Sequence, residues 1–318
     1  MKKVILLLLP ILDFLLSPFI LASALLFKLI SRLGMRKLFF SKNIFNAIGI
    51  YPVRDHYYEP LINAKHLIKP LSQERVLPGI NWNLDAQLTL LNSFTFQEEL
   101  KVIPQNFVSD LQFYYKNGSF ETGDADFLYS LIRFKKPKRI IEIGSGHSTK
   151  IARLAIEKNN KDDNEYSCHH ICIEPYEMRW LEKTGVDVIR KRVEHLDISF
   201  FNQLEANDIL FIDSSHMIRP QGDVLFEYLE LLPTLNKGVI VHIHDIFSPR
   251  DYLEDWIIKE NRFWNEQYLL EAFLTCNKEW EIIAGVNYLK HNHFNLLKEK
   301  LPLLTIDKEP GSFYMVKK

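Results

Sequence analysis

Lys138-Arg139-Ile140-Ile141-Glu142-Ile143-Gly144-Ser145-Gly146-His147-Ser148-Thr149 decides the fold. Ile140, Ile141 and Ile143 form a short β-branched run of the kind found in strands covered on both faces. Gly144 and Gly146 let the chain turn sharply and approach a ligand with no Cβ in the way. Ser148 and Thr149 are suited to cap a helix that continues through Ile151, Leu154 and Ala155. The stretch reads as buried strand, glycine turn and helix, with a carboxylate, Glu142, just ahead of the turn.

Two classes of ligand use such a unit. Dinucleotide sites require G-x-G-x-x-G/A, which seats a pyrophosphate on the helix N-terminus. Here Thr149 stands at the third glycine position. A cationic amino acid joined to adenosine, as in S-adenosylmethionine (SAM), has no phosphate to cradle, and an acid at the strand end suits its ammonium, directly or through water. Glu142-x-Gly144-x-Gly146 resembles the first motif of class I SAM-dependent methyltransferases. The resemblance implies SAM as cofactor, with Glu142, Gly144, Ser145, Gly146 and Thr149 along its binding loop. A plain β–α turn is the competing reading.

Downstream, apolar strands alternate with helices, which predicts an α/β fold with a doubly wound, mostly parallel sheet; the resemblance implies its Rossmann-like, seven-stranded form. Asp124-Ala125-Asp126 opens a helix running to Phe134, ahead of the first strand. The second strand, His170–Ile173, ends in Glu174, where a carboxylate would hold a ribose diol. Glu174 lies further along than the usual spacing of about 20 residues, so the polar stretch 159–165 is read as a long loop. Cys168-His169-His170-Ile171-Cys172 invites a metal reading, but neighbours on a strand point to opposite faces and the four donors cannot converge. A third strand at 186–189 leads to Arg192-Val193-Glu194, and the resemblance implies that Glu194 lies at the adenine.

Asp208–Ile212 and Gly238–Ile243 are the fourth and fifth strands, ending in Asp213-Ser214-Ser215-His216 and His244-Asp245. Ligands of open parallel sheets bind off the carboxyl ends of the strands. Glu142, Glu174, Asp213, His216, His244 and Asp245 therefore share one rim. His216 and His244 are candidate bases for an acceptor hydroxyl, with Asp213 beside them and also facing the cofactor. Asp213 and Asp245 could hold Mg²⁺ or another hard divalent cation. Catechol-type metal-dependent methyltransferases look similar here, but carry Asp-Asn where this chain has Asp245-Ile246.

The chain has 318 residues, 47% apolar, and a formal net charge of −1. That is enough for a full α/β core with an appended segment, and near-neutrality argues against a nucleic-acid partner held by charge. Three cysteines, Cys168, Cys172 and Cys276, are too few for a disulfide framework and suit a reducing compartment. Val4 to Phe27 is almost unbroken apolar sequence; at about 1.5 Å per residue it could cross a hydrocarbon layer of roughly 30 Å. Asp13, Pro10 and Pro18 interrupt it, and Ala22-Ser23-Ala24 resembles a signal-peptidase site. A retained anchor, a cleaved signal and a re-entrant hairpin are the three readings. Lys28, Arg32 and Arg36 beside Leu29, Ile30 and Leu33 form a basic amphipathic pattern that favours retention. With Lys37 and Lys42 added, positive charge lies on the domain side, which predicts a membrane-anchored enzyme facing the cytoplasm.

The expected organisation is an anchor with a basic helix over 1–42, a helical and loop lid over 43–118, and a SAM-binding domain over 119–318. The lid holds the aromatic loop His56-Tyr57-Tyr58 and a helix from Asp85 to Phe94. Together with Phe211–His216, His242–Phe247 and Trp264–Leu270, the motifs resemble one bacterial branch of class I methyltransferases, often found with surface-glycan or secondary-metabolite genes. The resemblance implies O-methylation of a sugar, glycolipid or small-molecule hydroxyl, with Trp264, Glu266 and Tyr268 either lining an acceptor cleft or packing on the sheet. Competing functions are a nicotinamide oxidoreductase, a metal-dependent hydroxylase or hydrolase using Asp213, His216 and Asp245, and a non-catalytic scaffold.

Overall fold

β1 (Arg139–Ile143), β2 (His169–Ile173), β3 (Asp187–Ile189), β4 (Ile209–Ile212), β5 (Ile240–Ile243), β6 (Trp280–Gly285) and β7 (Phe313–Lys317) form one sheet in the order 3-2-1-4-5-7-6. They are seen in a computed structural model that describes residues 2–176 and 178–318, with side chains from residue 8 onward. β1 to β5 are parallel, and β7 runs antiparallel to both β5 and β6. The sheet is thus mostly parallel, as the strand pattern predicts, and Rossmann-like, as the resemblance implies.

Each central strand feeds two cores. Ile140, Ile209, Phe211 and Ile240 face one, under the helices Asp124–Lys135 and His147–Asp162. Ile141, Ile143, Leu210, Ile212, Val241 and Ile243 face the other. Period-2 alternation with both faces covered explains why the runs are continuously apolar. Strand order reverses between β1 and β4, so their carboxyl ends open a crevice.

The stretch 159–165, expected as a long loop, is helical as far as Asp162. Arg133 is the reason: it is buried, hydrogen-bonds Asn159, and donates to Asp162 at 2.5 Å and to Glu99 at 2.8 and 2.9 Å. Fixing both ends of its last turn carries the helix through a polar sequence. The helix before β1 is capped by Gly123, whose N–H donates to Asp126 at 3.1 Å.

The chain divides into two units. One holds residues up to Ile68 together with Ile257–Phe263; the other holds Lys69–Trp256 and Trp264–Lys318. In the second unit Leu91, Phe94, Leu100, Phe113 and Tyr115 are buried in the same core as the Asp124–Lys135 helix. In the first unit a helix spans Lys2–Leu33 and contains Pro10 and Pro18. Leu8–Leu33 is long and apolar enough to cross a membrane, by length and composition. Lys28 and Arg32 continue that same helix, Gly34 ends it at φ +91°, and Arg36 lies in the turn Met35–Lys37 before a helix at Phe39–Ile48.

Candidate active site

Glycine is required where β1 ends. Gly144 has φ +80°, and a Cβ there would lie 2.0 Å from the backbone oxygen of Asp213. The Gly144 N–H donates to Ile173 at 3.0 Å, and the Asp213 N–H donates to Ile143 at 2.9 Å. Three strand ends are therefore locked at one point, and Asp213 leaves β4 directly beside the turn. Gly146 precedes the helix His147–Asp162, and its N–H donates to Thr149 Oγ1 at 3.1 Å. Thr149 is buried, and the buried Ser145 hydroxyl has no hydrogen-bond partner among the described residues.

Beside this turn lies a cavity of about 230 Å³ lined by Ile143, Gly144, Ile173, Glu174, Glu194 and Asp213. Pro175, Tyr176, Val193, Ser214 and Ser215 complete its wall near Arg192, Arg219 and Asp223. The two arginines are already engaged. Arg192 donates to the Tyr176 hydroxyl at 2.7 Å, and Arg219 stands 3.7 Å from Asp223. What remains is an apolar trough with carboxylates at three strand ends. That chemistry fits a cationic, phosphate-free nucleoside and does not fit a pyrophosphate.

Glu142 does not line this cavity. Its carboxylate is buried on the opposite side of the strand, where Oε2 contacts His170 Nε2 at 3.0 Å and accepts from Cys172 Sγ at 3.2 Å. Register explains the meeting: Glu142 pairs with Cys172, and Ile140 with His170, so one sheet face holds all three. His169 points away and meets Asp187 at 2.6 Å. The four donors of the 168–172 run do not converge, yet two of them meet an acid from the neighbouring strand, which sequence spacing alone does not reveal. Burial pushes the Cys172 thiol far above its ordinary range, so it stays protonated.

At the other wall of the crevice, Asp213 brings β4 and β5 together. Its Oδ1 lies 3.2 Å from His216 Nε2 and its Oδ2 lies 3.7 Å from His244 Nδ1. Asp245 reaches both rings, at 3.5 Å each. Two further acids join from distant parts of the chain. Glu266 lies 2.8 Å from His216 Nδ1 and also accepts from Tyr228 at 3.0 Å. Asp124 lies 3.7 Å from His244 Nε2 and accepts from the Ser312 N–H at 2.7 Å. Glu266 is completely buried, so it orients His216 rather than lining a cleft.

His216 and Asp245 hold left-handed backbone, φ +57° and +59°, a conformation that costs a non-glycine residue about 1–2 kcal/mol. Local bonds hold it: Asn265 and Glu266 donate backbone N–H groups to the His216 carbonyl at 3.0 and 3.2 Å. Gly311 packs its backbone on Asp245, where a Cβ would come within 2.9 Å of the Asp245 Cα.

Burial alone would lower the His216 pKa, but hydrogen bonds to Asp213 and Glu266 outweigh it and raise it to about 10. His244 is also raised, burial being outweighed by Asp245 and Asp213. Asp213 is held well below the usual carboxylate range, because the two imidazoles outweigh its burial. By contrast His242 is a neutral core residue: it is lowered by burial, stacked on Tyr314 at 4.2 Å and 2.9 Å from Ser312 Oγ. Donor atoms of Asp213, His216 and Asp245 all lie within 4.8 Å of one another. Two carboxylates and an imidazole at this spacing fit a divalent cation.

Comparisons with known proteins bear on the domain, not on the geometry of the site. Residues 141–246 match the family model of a methyltransferase domain. The chain is 32% identical, over 186 residues, to an uncharacterized protein of Archaeoglobus fulgidus, covering 54% of this chain and 82% of that one. Among solved structures, an O-methyltransferase from Bacillus cereus in complex with SAH is 14% identical, with 74% of this chain and 91% of that one covered at a TM-score of 0.35. A TDP-rhamnose 3′-O-methyltransferase of calicheamicin biosynthesis is 11% identical, with 80% and 99% covered and the same TM-score of 0.35. Scores this low carry no weight for the site. Residues 141–246 thus carry a methyltransferase domain, and the glycine turn between β1 and its helix and the strand order with an antiparallel β7 are consistent with the SAM-dependent class I form of that domain.

Proposed function

We propose that the protein transfers the methyl group of SAM to a hydroxyl oxygen of a sugar, glycolipid or small-molecule acceptor. The observation that carries this reading is the double position of Asp213. It borders the cofactor cavity and, through its two oxygens, faces His216 and His244. An acceptor hydroxyl set against this rim would stand beside the cofactor. Its developing charge would face the two imidazoles, whose pKa values are raised and which so start protonated, and its proton would be within reach of Asp245, whose pKa burial raises.

In this reading Glu174 holds the ribose, Glu194 lies at the adenine edge, and Gly144, Ser145, Gly146 and Thr149 shape the loop around the methionine portion. Glu142 acts from beneath, through its contact with His170 and Cys172. Methyl transfer is an in-line displacement at sulfonium, so alignment supplies much of the rate. Glu266 fixes His216, Asp124 faces His244, and the Trp264 ring, with its centroid 4.2 Å from that of His216, forms a wall of the acceptor side. Asp213 and Asp245, with His216, would hold a divalent cation, whose chemistry is to lower the pKa of a bound hydroxyl. Residues 1–42 would tether the enzyme with its domain toward the cytoplasm, given Lys28, Arg32, Arg36, Lys37 and Lys42 after the apolar span. Residues 119–318 would carry the transfer. Within 43–118, Phe113 and Tyr114 set their rings edge-on to His147, 6.3 and 5.3 Å between centroids, which supports a covering role for that part of the segment.

The direct test is incubation of the purified protein with methyl-tritiated SAM and membrane or cell extracts. Label should pass into a lipid or glycan fraction. EDTA should lower turnover at least about ten-fold, and Mg²⁺ should restore it. Saturable SAM binding with no label transferred to any fraction would point to a non-catalytic scaffold. A second expectation separates proton handling from cofactor binding: His216→Gln and His244→Asn should each lower kcat by about 100-fold. The Kd for SAM, from calorimetry, should stay near that of the parent. Two fully active variants would remove the imidazoles from the mechanism.

A further inference from the structure

A second groove, of about 560 Å³, runs along the outer face of the His147–Asp162 helix and shares no lining residue with the cofactor cavity. Lys150, Arg153 and Lys161 face it from the helix, and Lys183 faces it from beyond β2. In a chain of net charge −1 this is a local concentration of positive charge. Its two lining carboxylates, Glu99 and Glu157, neutralise it only in part. Glu99 on its wall is committed to Arg133 and Tyr129.

Lys150 is the telling group. It is 6% exposed, and among the described residues no carboxylate pairs with it. Its ammonium lies over the Trp180 ring at 4.1 Å, and Asp110 acts on it only through its field. Arg153 has a buried Nε with no acceptor, and its other contact is a 4.0 Å approach to Glu157. Lys161 and Lys183 likewise have no partner among the described residues. A buried ammonium without a counterion is costly, so a ligand that completes Lys150 is favoured, with Arg153 and the exposed Lys161 and Lys183 adding charge around it. The facing wall is apolar, with Val102 and Leu111 largely solvent-exposed.

We propose that this groove is a binding site for a phosphate- or diphosphate-bearing ligand, its oxygens on Lys150, Arg153 and Lys183 and its remainder along Val102 and Leu111. Charge-assisted bonds to a multivalent anion would satisfy the guanidinium Nε and the ammonium together. The same chemistry is offered by free diphosphate and by the headgroup of an anionic lipid. The apolar wall suits the second, and the two separate by experiment.

The full-length protein, in detergent, is titrated calorimetrically with inorganic pyrophosphate, with dihexanoyl phosphatidic acid below its micellar concentration, and with dihexanoyl phosphatidylcholine. One saturable site for an anionic probe, absent for phosphatidylcholine, is expected. Tighter binding of the lipid than of pyrophosphate assigns the groove to a headgroup, and the reverse order assigns it to a soluble phosphate. The Lys150→Gln/Arg153→Gln double variant should weaken the anion at least about ten-fold, with SAM affinity unchanged as the measure of an intact fold. Lys183→Glu, at an exposed position, should weaken it comparably and decides the matter if the double variant does not fold. Failure of both anionic probes to bind at millimolar concentration, or equal binding by Lys183→Glu and the parent, overturns the assignment.

Discussion

Gly144→Ala is expected to cost about 2–5 kcal/mol of folding stability, from left-handed strain of about 1–2 kcal/mol and an overpacking term of about 1–3 kcal/mol. The strain follows from φ +80°, and the overpacking from a methyl group placed 2.0 Å from the Asp213 carbonyl oxygen. A backbone oxygen cannot rotate away as a side chain can. Either β1 and β4 part at their ends, breaking the 2.9 Å bond from Asp213 to Ile143, or the turn leaves its left-handed state. A domain stable by about 5–15 kcal/mol loses a large share of its margin in either case. Urea unfolding followed by circular dichroism should show a midpoint well below the parent's; an unchanged midpoint would mean that the strands do not meet as described. Loss of SAM binding in this variant cannot by itself be assigned to a ligand contact. Gly146→Ala separates the two effects. Gly146 has extended φ, and the nearest atom to its added Cβ is Met178 Cε at 3.7 Å. That variant should fold normally, and its affinity for SAM then reports whether the cofactor passes close to the loop.

The same contact shows what the sequence discloses and what it hides. β1, β2, β4 and β5 are readable because each is a short, largely apolar run buried in the sheet, and β3 only as the short edge run Asp187–Ile189, while the glycine turn after β1 carries its own chemistry. β6 and β7 are not readable in that way. Trp280–Gly285 carries Glu281 and a register shift between Ile282 and Ala284, and β7 joins the sheet only through long-range antiparallel pairing. The rim residues Asp213, His216, His244 and Asp245 stand at strand ends and are visible as such. Their partners are not. Glu266 meets His216, and Asp124 meets His244, across distances in the chain that no local period encodes. The destination of Glu142 was hidden for another reason. Strand alternation forbids neighbours from converging, but parallel pairing sets a residue beside one on the next strand, and only the register brings His170 and Cys172 to that carboxylate.

Asp213→Asn is the substitution that tests the rim as a transfer site, and it should lower kcat by about 100-fold or more. Asparagine keeps the shape of the side chain and removes its charge. Both imidazoles would then lose one of the two carboxylates they share, Asp245 remaining at 3.5 Å from each, and the 3.2 and 3.7 Å contacts to His216 and His244 would become charge–dipole contacts. A cation seated between Asp213 and Asp245 would lose half of its countercharge. The cofactor cavity loses less, since Glu174 and Glu194 still line it, so the Kd for SAM should rise by less than about ten-fold. Glu194→Gln should show the opposite division, because Glu194 lines the cavity away from the imidazoles: KM for SAM rises while kcat holds near the parent value. The pair of variants therefore distinguishes the two walls of one crevice in a single assay of methyl transfer. If Asp213→Asn keeps the parent's kcat and changes only KM for SAM, Asp213 belongs to the cofactor wall alone, and the proton-handling rim lies elsewhere.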